Sequence, residues 1–224
     1  MYKTETHLHT HPVSPCSHLS AREMITRYHA ADYTTVFVSD HFGRNVLERL
    51  GDGLTWNERI DAFLRGYEDA RAAGESLGMH VLLSAELALG GDHFLLYGID
   101  AAFLRDCECV FDLTPQQMHE FARAHGVTVV QAHPLRDGKC TPHPDAVDGF
   151  EAVNTNPRHD NFEAETRAIA AAYRLPVTAG SDAHRPEDIA GCAMLSDVPV
   201  TSGRQYVQLL LSGSLRPAKK EEIL

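Results

Sequence analysis

The chain has 224 residues, enough for one substantial α/β domain and short for two with cores of their own. An apolar share of 43% and a charged share of 23% exclude a disordered or fibrous chain. Lys and Arg number 20 against 31 Asp and Glu, a net charge of −11 without a basic run, which argues against long nucleic acid as a partner.

YKTETHLH, Tyr2 to His9, alternates as a strand and sets Lys3, Glu5, His7 and His9 on one face. Pro12 and Pro15 stop it. Ser20 and Glu23 form a capping-box pattern that opens a helix with Met24, Ile25, Tyr28 and Ala31 on one face, and TTVFVSDH follows as a buried strand. Thr55 and Glu58 open a long helix that runs to Gly78. MHVLLSAELAL and HFLLYGID read as two strands parted by Gly90 and Gly91. Thr114, Pro115 and Gln117 start the next helix, and VTVVQAHP and FEAVNT read as strands. Asp160 and Glu163 open a helix that runs to Tyr173, PVTAGSDAH is a strand, and GRQYVQLLLSG is a closing helix.

Strands alternating with helices at this rhythm imply mainly parallel pairing, hence a doubly wound sheet or a barrel of about seven strands. No linker or repeat divides the chain, so residues 1–224 are expected as one domain. The least regular stretches, Phe42 to Leu54 and Leu135 to Asp148, are expected to be site loops.

Five cysteines in an odd set without CxxC spacing indicate neither a disulfide framework nor a zinc ribbon, and a reducing cytoplasm fits best. No charged start followed by an apolar stretch precedes His7, and no run of about 18 apolar residues occurs. We therefore expect neither a secretory leader nor a membrane span. Oligomeric state is not encoded in any of these features.

The fourteen histidines fall in a pattern. His7 and His9 end the first strand, Asp40 and His41 the second, and Glu86 lies late in the third. His93 opens the fourth, His133 ends the fifth, and Asp182 and His184 end PVTAGSDAH. In parallel α/β folds strand C-termini converge on one face, so these distant residues are predicted to meet. An HxH pair points two imidazoles the same way, and imidazole with carboxylate favours Zn, Mn or Fe over Ca or Mg. Eight candidate ligands, His7, His9, His41, Glu86, His93, His133, Asp182 and His184, exceed what one catalytic zinc requires, which implies two or three ions. Arg136, just past His133, and Arg158, just past the FEAVNT strand, are candidate phosphate clamps. His11 and His18 read as solvated loop residues, and His29, His80, His119, His125 and His159 as structural or solvated.

HLHT with VSPCS, then SDH, AEL, DHFLLYGID, AHPLR and GSDAH, resemble the successive motifs of the PHP family, named for polymerase and histidinol phosphatase. The likeness spans Met1 to Val198. It implies a distorted seven-stranded (β/α) TIM-like barrel with a trinuclear metal site that hydrolyses phosphate esters. Position by position, His7, His9, Glu86 and Asp182 resemble the ligands of the first metal, Glu86, His93 and His133 those of the second, and His41 and His184 those of the third. Many relatives supply the third site with another His or an Asp after the HxH motif, where this chain has Pro15 or Cys16. Cys16 is a further candidate ligand there, as a thiolate suits zinc.

The implied activity is hydrolysis of a small phosphomonoester, such as histidinol phosphate, by metal-activated water, with the leaving-group proton delivered by water or Asp40. Two rival readings are a phosphodiesterase or exonuclease of the same fold, and a non-catalytic metal-binding module.

Overall fold

The structure, a computed structural model, describes residues 1–223. Its strands are β1 (Tyr2–Leu8), β2 (Thr35–Val38), β3 (His41–Phe42), β4 (His80–Leu89), β5 (Asp92–Tyr97), β6 (Thr128–Gln131), β7 (Gly149–Asn154), β8 (Val177–Gly180), β9 (Cys192–Ser196) and β10 (Arg216–Lys219). Its helices are α1 (Ala21–Ala30), α2 (Arg44–Arg49), α3 (Trp56–Leu77), α4 (Ala101–Asp106), α5 (Pro115–Ala124), α6 (Glu163–Tyr173), α7 (Gly203–Leu211) and α8 (Lys220–Ile223). The sheet order is β10-β9-β1-β2-β4-β5-β6-β7-β8, with β3 on β4. β8 returns to β1: Thr6 Oγ1 donates to the Ala179 carbonyl at 2.8 Å, and His9 N to the Ala183 carbonyl at 3.0 Å. β1, β2, β4, β5, β6, β7 and β8 thus nearly close a seven-stranded barrel, extended past β1 by the antiparallel β9 and β10.

Within the seven barrel strands parallel pairing holds except at β5, which runs antiparallel to both β4 and β6. Gly90 and Gly91, at φ 63° and 97°, make the tight turn that reverses the chain, a conformation residues with a β-carbon rarely adopt. The start of β5 therefore lies at the end of the barrel where the neighbouring strands finish.

The capping boxes expected at Ser20, Thr55 and Thr114 are all formed. The one expected at Asp160 is not. α6 begins at Glu163 behind Phe162, which has no capping side chain, and the Asp160 carboxylate accepts instead from Phe162 N at 3.0 Å. α2 lies inside the stretch expected to be an irregular loop, and α4, β9 and β10 are elements the sequence pattern did not reveal.

Strand alternation divides the core. In β5, Phe94 and Leu96 face outward to Phe42, Ile60, Phe63 and Phe103, while Leu95 and Tyr97 face inward. Inside, Phe37, Tyr97 and the α7 residue Tyr206 pack ring on ring at 4.8–5.2 Å between centroids and plug one end of the barrel. Burying each such side chain contributes about 1.5–3 kcal/mol. On the other side of β1 and β2, α1 buries Met24, Ile25 and Tyr28 against Leu8, Val36 and Val38. The opposite mouth, where β1, β4, β6 and β8 end, is left for polar residues. No helix among the described residues is long and apolar enough to cross a membrane.

Candidate metal centre

All eight predicted ligands meet at this mouth. The Glu86 carboxylate, buried in β4, lies at their centre. Its Oε1 is 2.8 Å from His93 Nδ1, 3.1 Å from His133 Nε2 and 3.4 Å from His7 Nε2; its Oε2 is 2.5 Å from His41 Nδ1 and 3.6 Å from His9 Nε2. Asp182 Oδ1 faces the same group, 3.2 Å from His9 Nε2 and 3.6 Å from His7 Nε2. The rings of His9, His41 and His184 cluster, with the His9 centroid 4.1 Å from that of His41 and 4.2 Å from that of His184. His93 reaches the cluster because β5 is reversed.

Local backbone geometry aims two of these groups. His133 and Asp182 each lie two residues beyond a strand, at φ 31° and 50°. Such conformations cost non-glycine residues about 1–3 kcal/mol and concentrate at functional sites. The adjoining Ser181 is held by a buried carboxylate, Glu5, which accepts from the backbone N–H groups of His7 and Ser181 at 2.8 and 3.0 Å.

A cation fits these donors. His7 Nε2, His9 Nε2, Glu86 Oε2 and His133 Nδ1 are buried without a hydrogen-bond partner, although imidazole nitrogens and carboxylate oxygens face one another at 2.5–3.6 Å. Buried polar atoms are rarely left so, and three overlapping sets, His7/His9/Glu86, His41/Glu86/His93 and His9/His41/His184, have the spacing for shared ions.

Electrostatics agree with the geometry. Burial alone would raise the Glu86 carboxyl, but the charges of His93, His41 and His7 hold it well below the usual range. Asp182 is held well below in the same way by His7 and His9. Burial would depress His7, yet Glu151, Asp182 and Glu86 raise it well above the ordinary imidazole value. His9, buried and beside His41 and His184, is lowered well below that value.

The remaining predicted residues separate. A cavity of about 280 Å³ opens over the cluster, lined by Cys16, Arg136, Arg158, Asp182 and His184 among others. A second of about 470 Å³ adjoins it, sharing Cys16, His41 and His93 and extending to Val46, Arg49 and Ala88. Both irregular stretches contribute, Arg136 from one and Val46 and Arg49 from the other. Cys16 is exposed at the rim, where partial desolvation would raise its thiol but the neighbouring His184 and His41 favour the thiolate and lower it to about 6. Arg158 is gripped by Asp188 in two bonds of 2.8 and 2.7 Å.

Asp40 lines neither cavity. Its Oδ1 accepts from Thr10 N and Ser14 Oγ at 2.6 and 2.7 Å, and its Oδ2 from Thr10 Oγ1 at 2.6 Å. Arg185, Asn156 and His159 line the first cavity without having been singled out as site residues. The Arg185 signal lay one residue past GSDAH, hidden by the ligand motif itself. His159, expected to be structural or solvated, does both: it bonds Asp137 Oδ2 at 2.9 Å and faces the cavity.

The family model described as PHP-associated matches residues 158–214, which include α6, β8, Asp182 and His184. The chain also superposes, over 97% of its length at a TM-score of 0.70 and 14% identity, on a two-domain protein from Bacteroides vulgatus containing a predicted PHP-like metal-dependent phosphoesterase. The chain has the fold of this PHP-like protein. It spans 64% of that relative's length. It is similar in fold to an amidohydrolase from Chromobacterium violaceum, at a TM-score of 0.58 and 16% identity over 95% of this chain and 97% of the other. A lesion-specific endonuclease from Pyrococcus furiosus matches at a TM-score of 0.61 and 14% identity, over 96% of this chain and 57% of the other. No curated protein matches the chain in sequence.

Proposed function

We propose that this chain belongs to the PHP family and is a metal-dependent phosphoesterase acting on a small phosphomonoester. The observation that carries the reading is the Glu86 carboxylate ringed by five imidazoles, with four buried donor atoms lacking partners. His7, His9, Glu86 and Asp182 would hold one ion, Glu86, His93 and His133 a second, and His41 and His184 with Cys16 a third. Bound there, Zn, Mn or Fe would supply Lewis acidity, acidifying water and offsetting phosphate charge.

The chain's own groups do the rest. Arg136 and Arg158 line the cavity and bind phosphate oxygens, with Arg158 oriented by Asp188. Asp40 holds the turn from Thr10 to Ser14 behind His9 rather than delivering a proton, because three donors already occupy its oxygens. The leaving-group proton comes from water at the open cavity.

Cavity size and the net charge of −11 support a small substrate over long nucleic acid. Histidinol phosphate is the substrate proposed for first trial. The unpaired cysteines support a cytoplasmic location, and the continuous barrel supports residues 1–224 acting as one domain.

The test is metal analysis of purified protein beside hydrolysis of phosphate mono- and diesters. The reading expects at least two transition-metal ions per chain after loading, monoester turnover, and its loss in His133→Ala. Less than one ion per chain would remove the multinuclear centre, and preference for diesters would move the protein to the exonuclease class.

A further inference from the structure

One buried carboxylate touches the ligand cluster from behind without facing either cavity. Glu151 lies in β7, on the neighbouring strand to β8, where the pairing register shifts between Glu151 and Val153. Such irregularities re-aim side chains next to active sites. Its Oε1 is 2.8 Å from His7 Nδ1, and its Oε2 accepts from His133 N at 3.2 Å and from Asn154 Nδ2 at 2.8 Å. It is 1% exposed, so no water competes for these bonds.

The chain makes room for this contact. A β-carbon on Gly180 would overlap Glu151 Oε1 and His7 Cβ, so the glycine that opens GSDAH leaves the gap in which carboxylate and imidazole meet. His7 Nε2, on the far side of the same ring, is buried without a partner and faces Glu86 and Asp182. An imidazole whose Nδ1–H donates to a carboxylate offers its Nε2 lone pair, and that bond raises its basicity toward a cation.

We propose that Glu151 is a positioning residue that fixes the His7 tautomer and, through His133 N, ties together a ligand of the first metal site and a ligand of the second. The inference rests on the metal-centre reading above. Gly180 is then required for clearance beside His7, in addition to any turn it makes.

The test compares zinc affinity, by chelator competition, in the wild type, Glu151→Gln and Gly180→Ala, together with melting of the metal-free proteins. Removing an outer carboxylate partner weakens metal binding roughly 10- to 100-fold. Both variants are expected to show this loss. Imidazole nitrogen NMR of the zinc-loaded wild type supplies a second readout that does not depend on either variant folding. His7 should carry a slowly exchanging proton on Nδ1 and none on Nε2, a signature that barrel packing alone does not set. Unchanged zinc affinity in folded Glu151→Gln, or a proton on Nε2, overturns the role of Glu151 while leaving the metal centre standing. A wild type that takes up no zinc overturns both.

Discussion

The imidazoles of His41 and His184 meet nitrogen to nitrogen, Nε2 to Nε2, at 3.4 Å. The other nitrogen of each ring faces an oxygen: His184 Nδ1 hydrogen-bonds the Asp182 carbonyl at 2.8 Å, and His41 Nδ1 lies 2.5 Å from Glu86 Oε2. The two Nε2 atoms therefore face one another, a pairing that a shared proton or cation accommodates. His184→Ala is expected to retain fewer transition-metal ions per chain than the wild type, measured by elemental analysis after dialysis, while its barrel still melts cooperatively. Equal metal content would take His184 out of the ligand set.

Cys16 borders the same pair. Its thiol is lowered to about 6, whereas burial pushes the Cys107 thiol up to about 12 and raises Cys140 and Cys192. The thiolate is the reactive form, so its share grows as pH rises through that value. In metal-free protein, alkylation of Cys16 should reach half its maximal rate near pH 6, more than two units below an ordinary thiol at about 8.5. Peptide mass spectrometry after brief alkylation reads this directly. Loading zinc should slow the reaction, and an unchanged rate would exclude Cys16 as a ligand.

Much of this mouth was legible because strand ends and ligand types coincided. HxH, GSDAH and AHP are short motifs at predicted strand ends, and the parallel rule brought them together. His93 reached the mouth for a different reason: it opens a strand, and the turn at Gly90 and Gly91 reverses that strand so that its start faces the site. What escaped was whatever acts from behind. Glu5 and Glu151 sit in apolar or alternating strand text like any half-buried acid, and their partners lie far off in the chain: Glu5 meets Ser181, and Glu151 meets His7. β9 escaped because CAMLS is a short apolar run without the flanking pattern of a βα unit, and it pairs antiparallel on the far side of β1. The expected Asp160 cap failed because that carboxylate closes its own local turn two residues early.

Asp188 offers a pH test away from the ligands' own titration. Its oxygens take both Arg158 bonds and the backbone N–H groups of His184 and Arg185 at 2.9 Å. Burial would raise its carboxyl, but Arg158 and these N–H groups bring it below the usual value. A depressed carboxyl stabilises the fold above the unfolded value of about 3.9, and that contribution disappears as pH falls through the folded value. Asp188→Asn should therefore cost about 1–3 kcal/mol at neutral pH. The gap between variant and wild-type melting curves should close as pH drops below about 4. A gap independent of pH would mean that packing, not charge, accounts for the loss.

Arg136 is the more direct probe of substrate. Its Nη1 is 3.7 Å from Asp182 Oδ2, beyond hydrogen-bond range, and it lines the cavity without the two-bond grip that holds Arg158. A guanidinium so placed can turn its fork to a phosphate without breaking a strong internal bond. Arg136→Ala should lower kcat/KM for phosphomonoesters roughly 100-fold, as loss of a charge-stabilising donor does, with metal content unchanged. Arg136→Lys should recover only part of the loss, because an ammonium restores charge without the planar fork. Steady-state kinetics beside elemental analysis separate the outcomes. Full turnover in Arg136→Ala would assign phosphate binding to Arg158 and Arg185, and a parallel loss of metal would instead make Arg136 a partner of Asp182 in holding the centre.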